Sequence, residues 1–578
     1  MKQTLLILIA IIPAVITGKL IYEYGVNVPY WDEWDTPGYF LIKAHEGSLT
    51  IKDLVAQHNE SRMFFPKIIS IGLAKLSGWN IKYEMFLSFV LACLISMNIY
   101  TLSERTLNIS FHKRLFLILM TNLLIFSPMQ YDNWLRGIQF VTFLPITFIT
   151  LCLLVIYSET RPITQYLIFA ILATISTYSI ANGLLCWIIV FPLIIFRTWK
   201  NGSHIQCLFL TAITFSMFIL NEVVYFYSYQ KPPYHPSYLE ALLNPVKSIL
   251  YFFTFIGAPI AKRDQIFSPI FGLILIGIFA IVCVYSFQAF RKGKTIDSFL
   301  PWLSIGMYSI FSGLITSTGR VGFGVEQSLV SRYITFSTYL PVALIYLVVG
   351  LSEQNKKVFK LRNKTLSKII HLILAGIVLI ALVINFSYGY QGLIRESSRW
   401  LYSKACLSLI NVISDSKCIE ESLHPVPKRV MFVANKLSEA GMLGVKLISN
   451  PDFIKDSTII AQDQPKNCGV FEALVDDNHG HYLATGWAIL PKRQKTADAV
   501  ILSYKDINGK DIAFDIAEVR ERRKDIKSIL NNKTYKRSGW KKIIPKEKLP
   551  SNIKNMNAWA FDVTTYEAFK LHKTQHIN

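Results

Sequence analysis

Six consecutive residues, Tyr30-Trp31-Asp32-Glu33-Trp34-Asp35, place three carboxylates among three large rings. A carboxylate can accept the proton of a hydroxyl that attacks a sugar carbon. Neighbouring acids in a low-dielectric setting separate their pKa values, and the same pattern is compatible with a divalent cation such as Mg or Mn. Trp31 and Trp34 offer ring faces for a sugar. The competing explanation is a solvated turn whose tryptophans belong to an interfacial aromatic belt. Asp32, Glu33 and Asp35 are the candidate catalytic residues, with Asp32 first among them.

Three further motifs combine acids, bases and rings. His58, Glu60 and Arg62 lie within five residues and could orient the first cluster or bind phosphate; otherwise they are surface charges at a helix start. Asp132-Asn133-Trp134-Leu135-Arg136 packs an acid, an amide, a ring and a base into one short loop, a second carbohydrate surface or a polar hairpin cap. Arg320, Glu326, Arg332 and Tyr333 flank a glycine-rich stretch. The guanidinium fork matches phosphate oxygens, although arginines at helix ends also reach out to lipid headgroups. Lys231-Pro232-Pro233-Tyr234-His235-Pro236 reads mainly as a stiff structural loop that could cover a site. No GxxxxGK[ST] loop and no CxxC pair are present, so a P-loop and a zinc site are not expected. No spacing supports a Ser-His-Asp or Cys-His arrangement.

These motifs need elements to hold them. The chain has 578 residues, 52% of them hydrophobic, and a mean hydropathy of +0.36. Apolar runs long enough to cross ~30 Å of hydrocarbon recur over the first two thirds. Spans are expected at 3–22, 83–103, 114–130, 139–157, 165–180, 184–199, 206–226, 267–290, 298–316, 333–351 and 369–389. The first continues through Leu20-Ile21-Tyr22 without a small-residue cleavage site, and so reads as an uncleaved span. The net charge of +22 follows from Lys and Arg in cytoplasmic loops, not from a nucleic-acid surface.

With the N-terminus in the cytoplasm, Arg105, Lys113, Arg114, Arg197, Lys200, Arg291, Lys292, Lys294 and the basic 356–368 segment all fall inside, provided 248–261 does not cross. That segment is short, contains Gly257 and Pro259, and reads as re-entrant or interfacial. All the candidate site residues then share the extracytoplasmic face. The expected layout is an α-helical polytopic membrane domain over 1–390 with its first extracytoplasmic loop at 23–82, in which Lys67–Trp79 reads as an interfacial helix. A helical linker region over 391–467 and an extracytoplasmic β-sandwich over 468–578 follow. Alternating runs at 469–475, 481–490, 499–504, 512–519 and 558–563 mark the sandwich strands. Cys406 and Cys418 are placed to pair if the tail is extracytoplasmic.

At these residues the chain resembles bacterial GT-C-type membrane glycosyltransferases. Asp32-Glu33 fills the slot of their acidic pair just past the first helix, and Asp132 matches a second acidic loop between the third and fourth spans. The resemblance implies Asp32 as catalytic base, a polyprenyl-phosphate sugar as donor, and outer-face basic residues, here Arg320 and Arg332, on the donor phosphate. Tyr-Trp-Asp-Glu-Trp-Asp, His-Asn-Glu-x-Arg and Ser331-Arg332-Tyr333 also resemble proteins grouped with O-antigen-modifying glucosyltransferases. That implies an inverting transfer of a hexose such as glucose to a cell-surface glycan, O-antigen of lipopolysaccharide among them, at the bacterial inner membrane. Gly486-Trp487-Ala488, Arg522-Arg523-Lys524-Asp525 and Ser538-Gly539-Trp540 resemble an accessory β-sandwich of carbohydrate enzymes. A transporter or flippase for a lipid-linked sugar is the alternative. It would favour charges within the membrane, where Glu222 is the exception in nearly charge-free spans, and paired repeats, which are not evident. A non-catalytic receptor or assembly protein is the third reading, in which the acidic cluster is dispensable.

Overall fold

A computed structural model describes residues 2–201, 204–292, 296–354, 364–413, 417–450, 454, 468–550 and 553–577. The described chain divides into two compact units. One comprises Met1–Gly25, Ser48–Leu73 and Lys82–Ile394; the other comprises Val26–Gly47, Ala74–Ile81 and Arg395–Asn578.

The first unit is a bundle of membrane helices. Among the described residues, nine helices are long and apolar enough to cross a bilayer, from Gln3–Tyr24 to Val378–Ser408. The shorter Pro162–Thr177 and the Ser-rich Leu300–Arg320 are two further helices of the same unit, at two of the positions where crossings are expected. The chain is a multi-pass membrane protein.

Contacts define the two ends of this bundle. At one, Arg197 stacks on Tyr157 at 3.9 Å, Tyr157 donates to the Asp297 carbonyl at 2.6 Å, and Lys113 pairs with Glu353 at 2.6 Å. This basic end also carries Arg105, whose guanidinium donates to the Leu154 carbonyl at 2.6 Å. At the other, Arg62 reaches Tyr225 and Tyr227, and the Asp132 N–H donates to the Ser331 hydroxyl at 3.2 Å.

The ambiguous segment forms the helix Pro245–Gly257. Thirteen residues rise about 20 Å, too little for a crossing. Before it, Pro236 packs on Gly322; after it, Arg263 donates to the Leu329 carbonyl and to the Tyr131 hydroxyl. The segment therefore enters and leaves at the same end, as the charge pattern requires. Two glycines allow its close approach to helix Phe267–Arg291: a Cβ on Gly257 would lie 1.9 Å from the Ser268 carbonyl oxygen, and one on Gly272 would lie 1.9 Å from that of Phe253. Lys294 and most of the 356–368 segment lie outside the described residues.

The second unit contains the β-sandwich. Its strands are β1 (Gly469–Asp476), β2 (His481–Leu490), β3 (Lys495–Thr496), β4 (Ala499–Lys505), β5 (Asp511–Ala517), β6 (Val519–Glu521), β7 (Gly539–Pro545), β8 (Asn555–Asp562), β9 (Glu567–Lys570) and β10 (Gln575–His576). One sheet runs β1-β2-β7-β6 with β3 on β2, the other β10-β8-β4-β5 with β9 on β8, and every pairing is antiparallel. Inward residues Phe471, Ala484, Val500, Leu502, Trp540, Ile544, Ala558 and Ala560 fill the core between the sheets. The same unit carries the Cys406–Cys418 disulfide.

Candidate functional site

The acidic cluster belongs to the second unit. Residues Trp31–Trp34 form one 3-10 turn, entered through the Trp31 N–H bonded to the Leu423 carbonyl at 2.8 Å. The turn assigns each acid a different surrounding. Glu33 is only 1% exposed and accepts the Tyr30 N–H at 2.6 Å, which closes the turn on itself. Asp35 is ion-paired with Arg429 and has His424 Nε2 at 3.7 Å. Asp32 is half-buried, and its carbonyl accepts the N–H groups of Asp35 and Thr36.

The rings separate in the same way. Trp34 is fully buried edge-on against Trp79 at 5.7 Å, so it packs and cannot serve as the expected sugar platform. Trp31 is 45% exposed and keeps a face available, with His424 6.1 Å from its centre. Tyr30 stands edge-on to the buried Trp400 at 4.3 Å.

The remaining candidates lie in the membrane unit, at the end opposite its basic loops. Arg62 is buried and donates to the carbonyls of Val55, Tyr225 and Tyr227, a structural use of the whole guanidinium where substrate binding was expected. Lys67 does the same with the carbonyls of Asp53, Leu54 and Ala56 at 2.8–3.2 Å. Burial pushes its amine down from 10.5 to about 8, with Asp53 opposing and Arg62 reinforcing. His58 closes a tight turn through paired backbone bonds with Ser61.

Asp132 and Arg136 form a largely buried pair at 3.1 Å. Trp134 is fully buried and donates to the Ser127 carbonyl, so it too is a packing ring and not a sugar platform. Asn133 reaches across to the Arg332 carbonyl at 3.0 Å and to Thr335 at 2.6 Å, which ties this loop to Ser331–Tyr333. Tyr333 is buried against Phe255, and Arg332 lies over its ring at 5.3 Å. Two motifs chosen separately in the sequence thus meet.

The structure also joins Glu60 to Arg320, 260 residues apart, and adds His235 from the proline-rich loop. Arg320 Nη1 is 3.1 Å from His235 Nε2, and His235 Nδ1 is 3.6 Å from Glu60 Oε2. Burial first, then Arg320, holds the imidazole below its usual range against the pull of Glu60. Sequence reasoning assigned this loop a structural role. Only the histidine between two prolines could have signalled more, and nothing in its spacing points to Arg320. Among the described residues, no group of three or more His, Cys, Asp or Glu side chains converges as a metal site.

No protein family and no curated protein matches this chain. A solved structure, ArnT from Cupriavidus metallidurans bound to undecaprenyl phosphate, aligns over 82% of this chain and 83% of its own, with 11% identity and a TM-score of 0.33. That likeness is too loose to assign a residue role or a substrate.

Proposed function

We propose that the protein is a GT-C-type membrane glycosyltransferase that moves a sugar from a polyprenyl-phosphate donor to a cell-surface glycan on the extracytoplasmic face. The observation that carries this reading is the sorting of polar groups in the membrane unit. Glu60, His235, Arg320, Asp132, Arg136 and Arg332 collect at one end, while the Lys and Arg of the other loops mark the opposite end. By the positive-inside rule the basic end faces the cytoplasm. A lipid-linked donor keeps its phosphate at the membrane surface, where two arginines at helix ends suit it. The Cys406–Cys418 disulfide fits a tail exposed to an oxidising compartment.

In this reading the acceptor hydroxyl gives its proton to Asp32 and attacks the anomeric carbon. The bond from that carbon to the phosphate oxygen breaks, the polyprenyl phosphate departs, and the configuration inverts. Within the membrane unit, Arg320 and Arg332 are the residues that the family resemblance assigns to the leaving phosphate, where fixed positive groups act most strongly. Trp31 supports the sugar. Glu33 and Asp35 shape the turn through Tyr30 and Arg429. A hexose such as glucose and an O-antigen acceptor are the substrates the sequence motifs favour.

Proteoliposomes with donor and acceptor on the same side test the class of reaction. Label appearing in the acceptor supports transfer. Movement of the lipid-linked sugar across the bilayer without any labelled acceptor would make the protein a flippase.

A further inference from the structure

Glu60, His235 and Arg320 close a polar ring at the site end of the membrane unit. Arg320 Nη2 donates to Glu60 Oε1, and Nη1 donates to His235 Nε2 at 3.1 Å. A guanidinium has only donors, so Nε2 is an acceptor and the imidazole proton resides on Nδ1. That N–H faces Glu60 Oε2 at 3.6 Å, beyond hydrogen-bond reach. Glu60 thus neutralises Arg320 yet does not complete the imidazole.

The surroundings suit an anion larger than a carboxylate. His235 rides on a loop stiffened by Pro232, Pro233 and Pro236, and Pro236 seats on Gly322, where an added Cβ would lie 2.5 Å away. Arg332 lies within electrostatic reach of His235, and the buried Tyr251 feels both arginines. All three members of the ring are partly exposed, so a ligand can enter.

We propose that Glu60 is a built-in stand-in for phosphate: its carboxylate occupies the seat formed by Arg320 and His235, and an incoming phosphate displaces it. Identifying that phosphate as the prenyl monophosphate released by the transfer rests on the glycosyltransferase reading. The guanidinium fork accepts either anion, but a phosphate monoester carries three terminal acceptor oxygens to a carboxylate's two. It therefore satisfies Arg320 and His235 together. The internal carboxylate keeps weaker anions off the seat. If the ring is closed in about nine molecules of ten, it weakens phosphate binding about tenfold.

Titration calorimetry on the full-length protein in detergent reads this directly, with a C10 prenyl monophosphate and inorganic phosphate as probes. Glu60→Gln and Glu60→Ala are expected to bind prenyl phosphate about tenfold more tightly than wild type, and Arg320→Gln at least tenfold more weakly. Equal or weaker binding by both Glu60 variants, with wild-type melting, overturns the proposal. If neither variant melts as wild type, the wild-type protein decides. Prenyl phosphate must then shift the His235 imidazole NMR signals, and unmoved signals overturn the proposal. Tighter binding of the prenyl probe than of inorganic phosphate assigns the seat to a lipid phosphate; equal binding assigns it to free phosphate, with displacement intact in both. Sugar transfer is not read here, so a chain that binds as expected but transfers nothing loses the enzymatic reading and keeps this one.

Discussion

Asp32, Glu33 and Asp35 are neighbours in the chain with three different environments, and this division could not be read from the string of letters. Arg429, the partner of Asp35, lies 394 residues away. Glu60 and Arg320 were each legible as candidates, but their pairing was not, because a long-range ion pair leaves no local pattern. The same holds for Arg62 and Lys67, whose cations look available in the sequence and are spent on backbone carbonyls. Lys67→Met would leave the Asp53, Leu54 and Ala56 carbonyls without their donor. A loss of about 1–3 kcal/mol is expected, seen as faster hydrogen exchange over residues 48–63. Lys67 also gives a pH signature. Its folded pKa of about 8 lies below the unfolded 10.5, so the unfolded chain binds more protons between those values. Its contribution to stability therefore rises with pH from about 8 to 10.5. Melting curves of wild type and Lys67→Met should diverge across that window, and parallel curves would contradict the assignment.

At the scale of elements, hydropathy and alternation carried most of the fold. The strands expected at 469–475, 481–490 and 499–504 appear as β1, β2 and β4 within a residue of their expected ends. β7 escaped because Lys541-Lys542-Ile543-Ile544 breaks the two-residue alternation, and β3, β9 and β10 are too short to show one. The tryptophans that suggested a sugar-binding sandwich are core residues. Trp540 is 1% exposed and lies over Gly486, and Trp487 packs with Ile489, Ile526 and Tyr535. Arg523 is held between Glu472 and Asp525. Trp540→Ala should cost the sandwich about 3–5 kcal/mol, measured as earlier proteolysis of the tail in the full-length protein. Proteolysis at the wild-type rate would show that this core does not hold the tail. The helix Pro245–Gly257 makes a separate prediction about topology. Cysteines placed at Lys231 and Lys292 should be labelled from opposite sides of the membrane, because only Phe267–Arg291 crosses between them. Labelling of both from one side would mean that the short helix crosses.

For the whole molecule, the sequence shows a multi-pass chain with a β-rich tail, and the nine membrane-length helices among the described residues and the two sheets agree with that plan. The grouping of 26–47 and 74–81 with the tail was not legible, since contacts such as Asn27 to the Gly444 carbonyl and Trp34 to Trp79 join segments distant in sequence or separated by another helix. The acidic turn is therefore built by the second unit, and the arginine seats by the first. The central claim is that Asp32 supplies the base for sugar transfer. It is tested most directly by purifying wild type and Asp32→Asn, matching their melting temperatures and membrane insertion, and measuring transfer of labelled sugar from polyprenyl phosphate to the acceptor glycan. A general base contributes about 10²–10⁴-fold, so a loss of at least about a hundredfold is expected for Asp32→Asn. Transfer at the wild-type rate by a folded, inserted Asp32→Asn would contradict the account.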